Sequence, residues 1–394
     1  MIDKFKKYQA QTTKNPLGLE IIKAKGSYIF TKNNKYLDFV AGVSVNNIGH
    51  SNSKINNSIV KQLKEYSHVM VYGEFVQKPS IELCELLSTL LPNKLNTTYL
   101  TNSGTEAIEA ALKLAKRSTG RQKIISMKNS YHGSTHGSLS VSGFETRKRR
   151  YRPLLPNVHH INFNSVEDLN IIDNSVACVI VEPIQGGAGF IESKKEYLKK
   201  LRAKCNEMGV ILIFDELQSG IGRTGKMFAF EHYNITPDIL VIGKALGGGF
   251  PIGAIICNQL LMNKFQSNPI LGHITTFGGH PVIARAGHET IKYIIKNNLV
   301  SKSNEKEKLF RSLLKHKLIY EIRGKGLMLA LIMKNNKIAN YLVEDCLNNG
   351  LILFFLLYEK KAVRITPPLT ISEKEIIQGC NLIIKSLDRY KNYC

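Results

Sequence analysis

The clearest pattern along the chain is a series of short apolar runs separated by segments of helix length. Between residues 123 and 257 these runs read KIISM, VACVIVEPI, VILIFDE, DILVIGK and IGAIIC. Apolar runs joined by helical crossovers predict a mixed or parallel sheet with both faces covered. A ligand of such a sheet binds beyond the carboxyl ends of the strands, so each strand end is a candidate site.

Helix and turn signals surround these runs. Apolar residues at three- and four-residue steps predict a helix over residues 80–92, ending at Pro92. Residues 97–120, TTYLTNSGTEAIEAALKLAKRSTG, predict a short strand, a Ser-Gly-Thr turn and an amphipathic helix that ends at Gly120. Aromatic and apolar residues on both sides of Asn33-Asn34 predict a hairpin. From about residue 300 a smaller α+β pattern follows, with a helix, YEIRGKGLMLALIM, a second helix and AVRITPPLT.

Length and charge limit the class of protein. A chain of 394 residues can bury a large core and allows two domains, or one large domain with an appendage. The net charge of +23 is unusual and raises the question of a nucleic-acid or membrane partner. Because the lysines are spread through the whole chain, a general compositional bias explains them better than a binding face does. The densest basic cluster, residues 147–152, is also compatible with a raised potential near a site for acidic substrates.

The cysteines and the apolar segments indicate a cytoplasmic protein without a metal site or a membrane span. The seven cysteines lack CxxC or CxxH spacing and predict free thiols: Cys84, Cys178, Cys205, Cys257, Cys346, Cys380 and Cys394. The N-terminus has charge but no apolar core after it, so no signal peptide is predicted. The run LILFFLL at 351–357 is too short to cross a membrane.

Two strand ends carry groups suited to a cofactor. Lys244 follows a buried run and precedes ALGGGFPIGA. Desolvation there favours a neutral, nucleophilic amine that can form a Schiff base, although a lysine that reaches the surface is the alternative. The turn at Ser103, Gly104 and Thr105 begins a helix, where free N–H groups favour an anion such as phosphate; simple N-capping is the alternative.

Asp215 ends the run LIFD at a third strand tip. A cofactor with a phosphate, an aldehyde and a ring nitrogen would need an anion site, an amine and a carboxylate, and pyridoxal phosphate has all three groups. An Asp beside the pyridine nitrogen keeps it protonated, so that the ring accepts carbanion electrons. Glu216 is expected to face away in a structural role, because adjacent strand residues point to opposite sides.

These motifs resemble those of the class III aminotransferases of fold type I, the pyridoxal-phosphate group that includes acetylornithine, ornithine and 4-aminobutyrate aminotransferases. The matching motifs occur in the family order: NSGTEA at 102–107, YHG at 131–133, EPIQG at 182–186, DELQSG at 215–220, GRTG at 222–225, PD at 237–238, KALGGGFPIG at 244–253, TFGG at 276–279, RGKGL at 323–327 and RITPPL at 364–369. The resemblance implies an α/β fold: a large domain with a mostly parallel sheet covered by helices, plus a smaller α+β domain. We expect an N-terminal segment at 1–60 packed on the small domain, a cofactor-binding domain at 61–299 and the C-terminal small domain at 300–394.

The resemblance also implies roles for individual residues. Lys244 would be the Schiff-base lysine and the general acid/base, and Asp215 would pair with the ring nitrogen. The remaining cofactor contacts would be Ser103, Gly104 and Thr105 at the phosphate, Tyr131 stacked on the ring, Gln218 at the ring oxygen, and Thr276 reaching the phosphate across the interface of a homodimer with shared active sites. Arg364 would bind a substrate carboxylate in a bidentate manner, with Thr275 and Tyr72 as further substrate-binding candidates.

The implied reaction moves an amino group from an amino-acid donor to 2-oxoglutarate and gives glutamate. N-acetylornithine or a related acylated diamino acid is the preferred donor, because enzymes of this size often serve arginine or lysine synthesis. Aspartate, 4-aminobutyrate and other ω-amino acids are alternatives. A different class of function, a basic binding protein that keeps the fold without the chemistry, predicts changes at the cofactor positions; Lys244, Asp215, Gln218 and Thr276 are all retained.

Three positions depart from the family pattern. Ser134 stands where acetylornithine and ornithine enzymes carry an Arg that helps to bind the far carboxylate of the donor. Gly187 replaces a Glu that pairs with the carboxylate-binding Arg, so Arg364 is predicted to be either permanently available for an α-carboxylate or to swing away. His280 follows TFGG where Asn is usual, a milder change.

Overall fold

The structure is a computed structural model that describes residues 1–390, so the predicted thiol of Cys394 lies outside the described residues. The other six cysteines are free thiols, as predicted. The α-helices are α1 Ile2–Tyr8, α2 Ala41–Ser44, α3 Ser53–Glu65, α4 Lys78–Thr89, α5 Gly104–Thr119, α6 His136–Val141, α7 Glu145–Lys148, α8 Lys195–Met208, α9 Gln259–Met262, α10 Pro281–Lys296, α11 Leu299–Leu313, α12 Asn336–Asn348 and α13 Glu373–Arg389. Short 3-10 helices cover Arg149–Tyr151, Glu167–Ile171, Ala229–His232, Lys244–Gly247 and Asn263–Gln266.

The strands form one large sheet and smaller sheets around it. They are β1 Lys23–Lys25, β2 Tyr28–Phe30, β3 Lys35–Asp38, β4 Thr97–Thr101, β5 Lys123–Met127, β6 Val158–Ile161, β7 Val176–Val181, β8 Ile184–Gln185, β9 Ile191–Glu192, β10 Ile211–Asp215, β11 Ile239–Gly243, β12 Gly253–Cys257, β13 Ile319–Lys325, β14 Met328–Met333, β15 Leu351–Ile352, β16 Phe354–Phe355 and β17 Ala362–Ile365.

The large sheet has the order β4-β12-β11-β10-β7-β5-β6. All neighbours run parallel except β12, which is antiparallel to both β11 and β4. The predicted mixed sheet is therefore confirmed, and each of the five apolar runs is a strand in it. The edge strand β6 was not predicted, because its sequence VHHI is half polar and too short to stand out.

The helix predicted after the first of these strands is confirmed. Helix α5 begins at Gly104, with Ser103 as its N-cap, and ends before Gly120, whose φ of 69° is the left-handed conformation that suits glycine. Its alanine-rich face packs on β11 and β12 and is fully buried. The helix predicted over 80–92 is α4, which starts earlier, at Lys78, with Pro79 in its first turn, and ends at Thr89.

The two ends of the chain pack together beside the large sheet. The predicted hairpin is formed by β2 and β3, with Tyr28 opposite Leu37. Strand β15 pairs in parallel with β3, which joins residues 351–352 to residues 37–38. The apolar run at 351–357 is split between β15 and β16, and β16 extends the sheet β13-β14-β17-β16.

Helix α13 was not predicted, although Ser372 and Glu375 form a capping box at its start. The domain boundaries at residues 60 and 299 stay a prediction.

The sheet topology brings several chain segments to one place. Strands β7, β10 and β11 run parallel, so their carboxyl ends, which lead to Glu182, Asp215 and Lys244, lie at the same edge. The start of α5 follows β4, an antiparallel neighbour of β12, and reaches this edge as well.

Among the helices of residues 1–390, none combines the length and the apolar character that crossing a membrane requires.

Candidate active site

A cavity of about 300 Å³ lies beyond the carboxyl ends of β7, β10 and β11. Seven predicted site residues line it: Gly104, Thr105, Tyr131, Asp215, Gln218, Lys244 and Arg364. The other lining residues are Val43, His132, Gly133, Ser134, Glu182, Ile184, Gly186, Gly187, Leu217, Ser219 and Leu357. The cavity therefore combines strand ends from the large sheet with segments from both ends of the chain.

The floor of the cavity is a buried carboxylate held by a histidine. Asp215 Oδ2 lies 2.7 Å from His132 Nδ1, and Asp215 Oδ1 accepts a hydrogen bond of 3.0 Å from the Leu217 N–H. Both side chains are buried. Each carboxylate oxygen can accept a second hydrogen bond, so Asp215 retains capacity for a donor in the cavity. Glu216, next in sequence, points away and accepts bonds from the N–H groups of Ala229 and Phe230, as its predicted structural role requires.

Lys244 approaches this floor from the neighbouring strand. It begins the 3-10 turn Lys244–Gly247 with a left-handed backbone, φ 44°. Burial lowers the pKa of Lys244, while the charges of Asp215 and Glu182 oppose that effect. A lowered pKa increases the neutral fraction of the amine, which is the form that acts as a nucleophile or a base.

Glu182 is a second buried carboxyl group, for which no role was predicted from the sequence. Its two oxygens accept hydrogen bonds from the Tyr131 N–H at 3.1 Å and the Gly186 N–H at 2.9 Å. Burial raises the pKa of Glu182 to about 7. His132 was missed in the same way. Both residues stood in the quoted motifs YHG and EPIQG, and an acid at a strand end was a usable signal for Glu182.

The start of α5 forms one side of the cavity. A Cβ atom at Gly104 would lie 2.7 Å from Leu217 Cδ2, so only glycine allows this close approach. The Thr105 hydroxyl lies 2.6 Å from Ser138 Oγ and 2.8 Å from Thr135 Oγ1. The Ser103 hydroxyl accepts a bond of 3.3 Å from the Glu106 N–H and does not line the cavity. Ser103 therefore acts as the N-cap, and its contact with a cofactor stays a prediction.

A strained turn near the N-terminus completes another wall. The four residues of α2, Ala41–Ser44, all have positive φ, and Val43, with φ 65°, lines the cavity. Left-handed backbone is unfavourable for a β-branched residue and costs roughly 1–2 kcal/mol. The Ser44 hydroxyl accepts a bond of 3.4 Å from Gln218 Nε2. Sequence patterns did not predict this left-handed turn.

Arg364 brings a positive charge to the cavity from β17. Its side chain is 5% exposed, and its Nε and Nη1 atoms have no hydrogen-bond partner within residues 1–390. The guanidinium carbon lies 5.8 Å from the centre of the Phe190 ring. Burial lowers the pKa of Arg364 to about 10, which leaves it charged at neutral pH. Leaving N–H groups of a buried, charged side chain without a hydrogen-bond partner costs folding free energy. An anionic ligand would supply the missing acceptor atoms, so this arrangement suits an anion.

The remaining predicted residues lie elsewhere on the same chain. Tyr72 and Thr275 line a different cavity of about 520 Å³, formed mainly by residues 71–84 and 262–279. Thr276 is exposed beside it. One copy of the chain therefore does not bring Tyr72, Thr275 or Thr276 to Lys244.

Comparisons with known proteins agree with this geometry. Residues 8–387 match the family model of the class III aminotransferases. The chain is 37% identical over 383 residues to the [LysW]-aminoadipate semialdehyde/glutamate semialdehyde transaminase of Sulfolobus acidocaldarius, covering 95% of this chain and 96% of the relative. It is 37% identical over 379 residues to the acetylornithine aminotransferase of Clostridium acetobutylicum, covering 93% and 95%. The ornithine aminotransferase of Toxoplasma gondii, a structure with partially occupied pyridoxal phosphate, superposes with a TM-score of 0.91 at 29% identity, covering 99% of this chain and 93% of that chain.

The residues around the cavity fit pyridoxal phosphate. Its aldehyde, ring nitrogen and phosphate need an amine, a carboxylate and a site for an anion. The cavity contains Lys244, Asp215 and the start of α5, where the free N–H groups of the first helical turn favour an anion. The alternative of a basic binding protein without chemistry is not retained, since the family and the named relatives are transaminases. The match over residues 8–387 and this cavity identify the chain as a member of the class III aminotransferases, which are pyridoxal-phosphate-dependent enzymes.

Proposed function

We propose that the enzyme transfers an amino group from an acylated diamino acid, with N-acetylornithine as the first candidate, to 2-oxoglutarate and so forms glutamate. The observation that carries this proposal is the buried, unpaired guanidinium of Arg364 in the same cavity as Lys244 and Asp215. It suits a substrate that carries a carboxylate. The Clostridium relative, named acetylornithine aminotransferase, supports the choice of donor. The Sulfolobus relative is named for [LysW]-aminoadipate semialdehyde and glutamate semialdehyde. The amines that correspond to these two aldehydes are the second candidate donors.

The residues on the floor of the cavity would handle protons. When bound, pyridoxal phosphate supplies an aldehyde that takes up the amine and a ring that accepts electrons from the reacting carbon. Asp215 would hold the proton on the ring nitrogen, and His132 fixes the orientation of its carboxylate through the bond of 2.7 Å. Lys244 would remove a proton from the substrate carbon and return it at the next step. The lowered pKa of Lys244 supports this role, because a base must be neutral when it accepts the proton.

The walls of the cavity would orient the cofactor and the substrate. Gly104 and Thr105 would bind the phosphate through the start of α5, and Tyr131 would cover one face of the ring. Gln218 would bond to the ring oxygen. Arg364 would bind the carboxylate nearest the reacting carbon of 2-oxoglutarate. Position 187 carries no acid, and within residues 1–390 Arg364 Nε and Nη1 have no partner that the substrate must displace.

A second copy of the chain would complete each site. Thr276, Thr275 and Tyr72 belong to a surface that also exposes large apolar side chains, among them Val76 at 90% and Ile270 at 78%. Exposed apolar surface of this kind is typical of a protein interface. We therefore propose a homodimer in which Thr276 of one subunit binds the cofactor phosphate of the other.

Mixing two inactive variants tests the shared site. Lys244→Gln removes the base, and Thr276→Asp places a negative charge against the phosphate. In a mixed dimer one site would carry both changes and the other site neither, so activity should reappear after the two variants are unfolded and refolded together. If the mixture stays inactive while wild type refolds with its activity under the same conditions, the site is not shared through Thr276.

The donor is tested by the visible absorbance of the cofactor-loaded enzyme. N-acetylornithine added without an oxo acid should remove the visible band of the bound cofactor, and 2-oxoglutarate should restore it. A band that does not move would reject this donor while keeping the cofactor. Aspartate, 4-aminobutyrate and other ω-amino acids would then be tested in the same assay.

A further inference from the structure

The space beside Gly187 is filled by an aromatic ring. A Cβ atom at position 187 would lie 2.7 Å from Cε2 of Tyr358, and the Tyr358 N–H donates a hydrogen bond of 2.9 Å to the Gly187 carbonyl. Gly187 lines the cavity, as does Leu357, the residue before Tyr358. Gly187 and Leu357 therefore form the wall of the cavity at this point, and the Tyr358 ring packs against Gly187. No larger side chain fits at position 187 while the ring is in place.

Tyr358 belongs to a stack that ends in a positive charge. Its ring lies 4.4 Å from that of Phe144, with an angle of 15° between the planes. The guanidinium carbon of Arg147 lies 5.8 Å from the centre of the Tyr358 ring. An arginine near an aromatic face gains a cation–π attraction that restricts its orientation. Phe144, Arg147 and Tyr358 together are called the outer subsite below.

The charge of Arg147 is available for a ligand. Arg147 is exposed and forms no salt bridge in the part of the chain that the structure describes. By contrast, Arg152 in the same basic segment is neutralised by Glu145 at 2.9 Å. Inside the cavity, Ser134 contributes only a hydroxyl, 3.4 Å from the hydroxyl of Tyr131. Arg147 therefore places a positive charge beside the Tyr358 ring at this wall.

We propose that the outer subsite binds the far end of the substrate, with Arg147 pairing with a distal carboxylate and Tyr358 packing against the chain that carries it. The inference rests on the proposed function, in which 2-oxoglutarate has a second carboxylate for Arg147 once the first is bound by Arg364. A donor would likewise present a carboxylate at its far end. A donor with a free ammonium group there would be disfavoured, because it would meet a like charge.

The chemistry of the three side chains supports this assignment. A guanidinium binds a carboxylate through two parallel hydrogen bonds, and an aromatic ring beneath it keeps its plane in position. Burial raises the pKa of the Tyr358 hydroxyl, so this group stays neutral and can donate a hydrogen bond to an anion. The outer subsite thus supplies a charge where Ser134 has none.

The test compares the binding of two unreactive acids to the cofactor-loaded enzyme by isothermal titration calorimetry. Glutarate has two carboxylates, whereas butyrate has one, and neither has an amino or oxo group to react. Arg147→Gln should weaken glutarate binding about tenfold, the effect of losing a charge-assisted hydrogen bond, and leave butyrate binding within about twofold. Arg150→Gln removes an exposed charge from the same basic segment without touching Tyr358, and it should change neither affinity.

Two variants of Tyr358 separate packing from hydrogen bonding. Tyr358→Phe keeps the stack and should stay within about threefold of wild type for glutarate, the effect of one neutral hydrogen bond or less. Tyr358→Ala removes the support of Arg147 and should approach the affinity of Arg147→Gln. In steady-state assays Arg147→Gln should raise the KM for 2-oxoglutarate and leave kcat almost unchanged, as expected for a group that binds substrate and transition state equally.

The proposal is overturned if Arg147→Gln and Arg150→Gln bind glutarate equally well, or if wild type does not prefer glutarate to butyrate. If 2-oxoglutarate still restores the visible band of the cofactor in that case, the outer subsite is wrong and the proposed reaction stands. If 2-oxoglutarate fails to restore the band in wild type, the proposed acceptor is wrong as well.

Discussion

The floor and the outer wall of the cavity are built in different ways. The floor groups lie at strand ends of the large sheet and in the turns beside them. Asp215 and His132 are buried and joined at 2.7 Å, and the buried Glu182 accepts hydrogen bonds from two backbone N–H groups. The outer wall consists of loop residues: Leu357 is exposed, and Tyr358 is half-buried, stacks on Phe144 and donates a hydrogen bond to the Gly187 carbonyl. The floor is rigid because its strands are covered on both faces. The wall can change without disturbing the core.

This difference separates the chemistry from the choice of substrate. Groups that move protons need fixed positions and a low-dielectric environment, and the buried strand ends provide both. Groups that recognise the far end of a substrate lie on loops, where sequence changes cost little stability. We therefore expect changes in the floor to reduce kcat and changes in the wall to alter KM and local packing.

The largest expected effect is in the floor, at Lys244. Lys244→Gln should lower kcat by at least about 10³-fold, because general acid–base catalysis contributes roughly 10²–10⁴-fold and the lysine also binds the cofactor. The measurement is the rate of glutamate formation from a donor and 2-oxoglutarate. A variant that keeps more than about a tenth of the wild-type rate would contradict the role of Lys244.

Asp215 should have the next largest effect. Asp215→Asn removes the negative charge that His132 orients, and kcat should fall on the order of 10²–10³-fold, comparable to the loss of one preorganised electrostatic group. Glu216→Gln is the matched control, because that carboxylate points away from the cavity. It should lower the melting temperature and leave kcat of the folded enzyme within a fewfold of wild type. Equal losses of kcat in both variants would remove the distinction.

In the outer wall, Gly187→Ala should act on packing. The new Cβ atom would lie 2.7 Å from the Tyr358 ring, so the ring must move, and overpacking of this kind costs about 1–3 kcal/mol of unfolding free energy. Adding Tyr358→Ala should relieve most of that cost. Denaturant unfolding of both single variants and the double variant gives the coupling free energy. Additive losses would mean that the ring and position 187 do not compete for the same space.

This coupling also bears on the earlier hypothesis about Arg364. By that hypothesis, a Gly187→Glu variant gives Arg364 an acidic partner and changes the preference for donor and acceptor. Since the Tyr358 ring fills that space, the Glu should be introduced together with Tyr358→Ala. If the double variant keeps the donor and acceptor preferences of Tyr358→Ala alone, an acid at position 187 does not control Arg364.

The smallest expected effect is the contribution of Glu182, in the floor, to the pH dependence of the unfolding free energy. Burial raises its pKa to about 7, so as pH rises the unfolded chain loses this proton before the folded protein does. The stability that the neutral carboxyl group contributes is present at low pH and is lost as pH rises to about 7. Relative to Glu182→Gln, wild type should lose about 1 kcal/mol between about pH 6 and pH 8. Asp173 is the control, because hydrogen bonds from Ser175 lower its pKa to about 2 and it is charged in both the folded and the unfolded chain across that range. Asp173→Asn should therefore give a flat difference.

Much of the fold and of the floor was predictable from local patterns. The five apolar runs became strands, and the helix from Gly104 ended at Gly120, because periodicity and turn residues are local signals. Lys244 and Asp215 were found because each follows a buried run, and parallel strands bring their carboxyl ends to one edge. Strand β6 was not predicted because half of its residues are polar and it lies at an edge. Helix α13 was not predicted either, although the capping box of Ser372 and Glu375 is a local signal for its start.

By itself, the sequence determined which residues stand at strand ends and which family of enzymes the chain belongs to, because those features are written in short contiguous motifs. Only the tertiary structure decided that His132 orients Asp215, that Val43 lines the cavity from a left-handed turn, and that Tyr358 occupies the space beside Gly187. His132 and Asp215 are 83 positions apart in the chain, and the other two contacts join residues still farther apart, so whether they meet depends on how the strands and loops pack together.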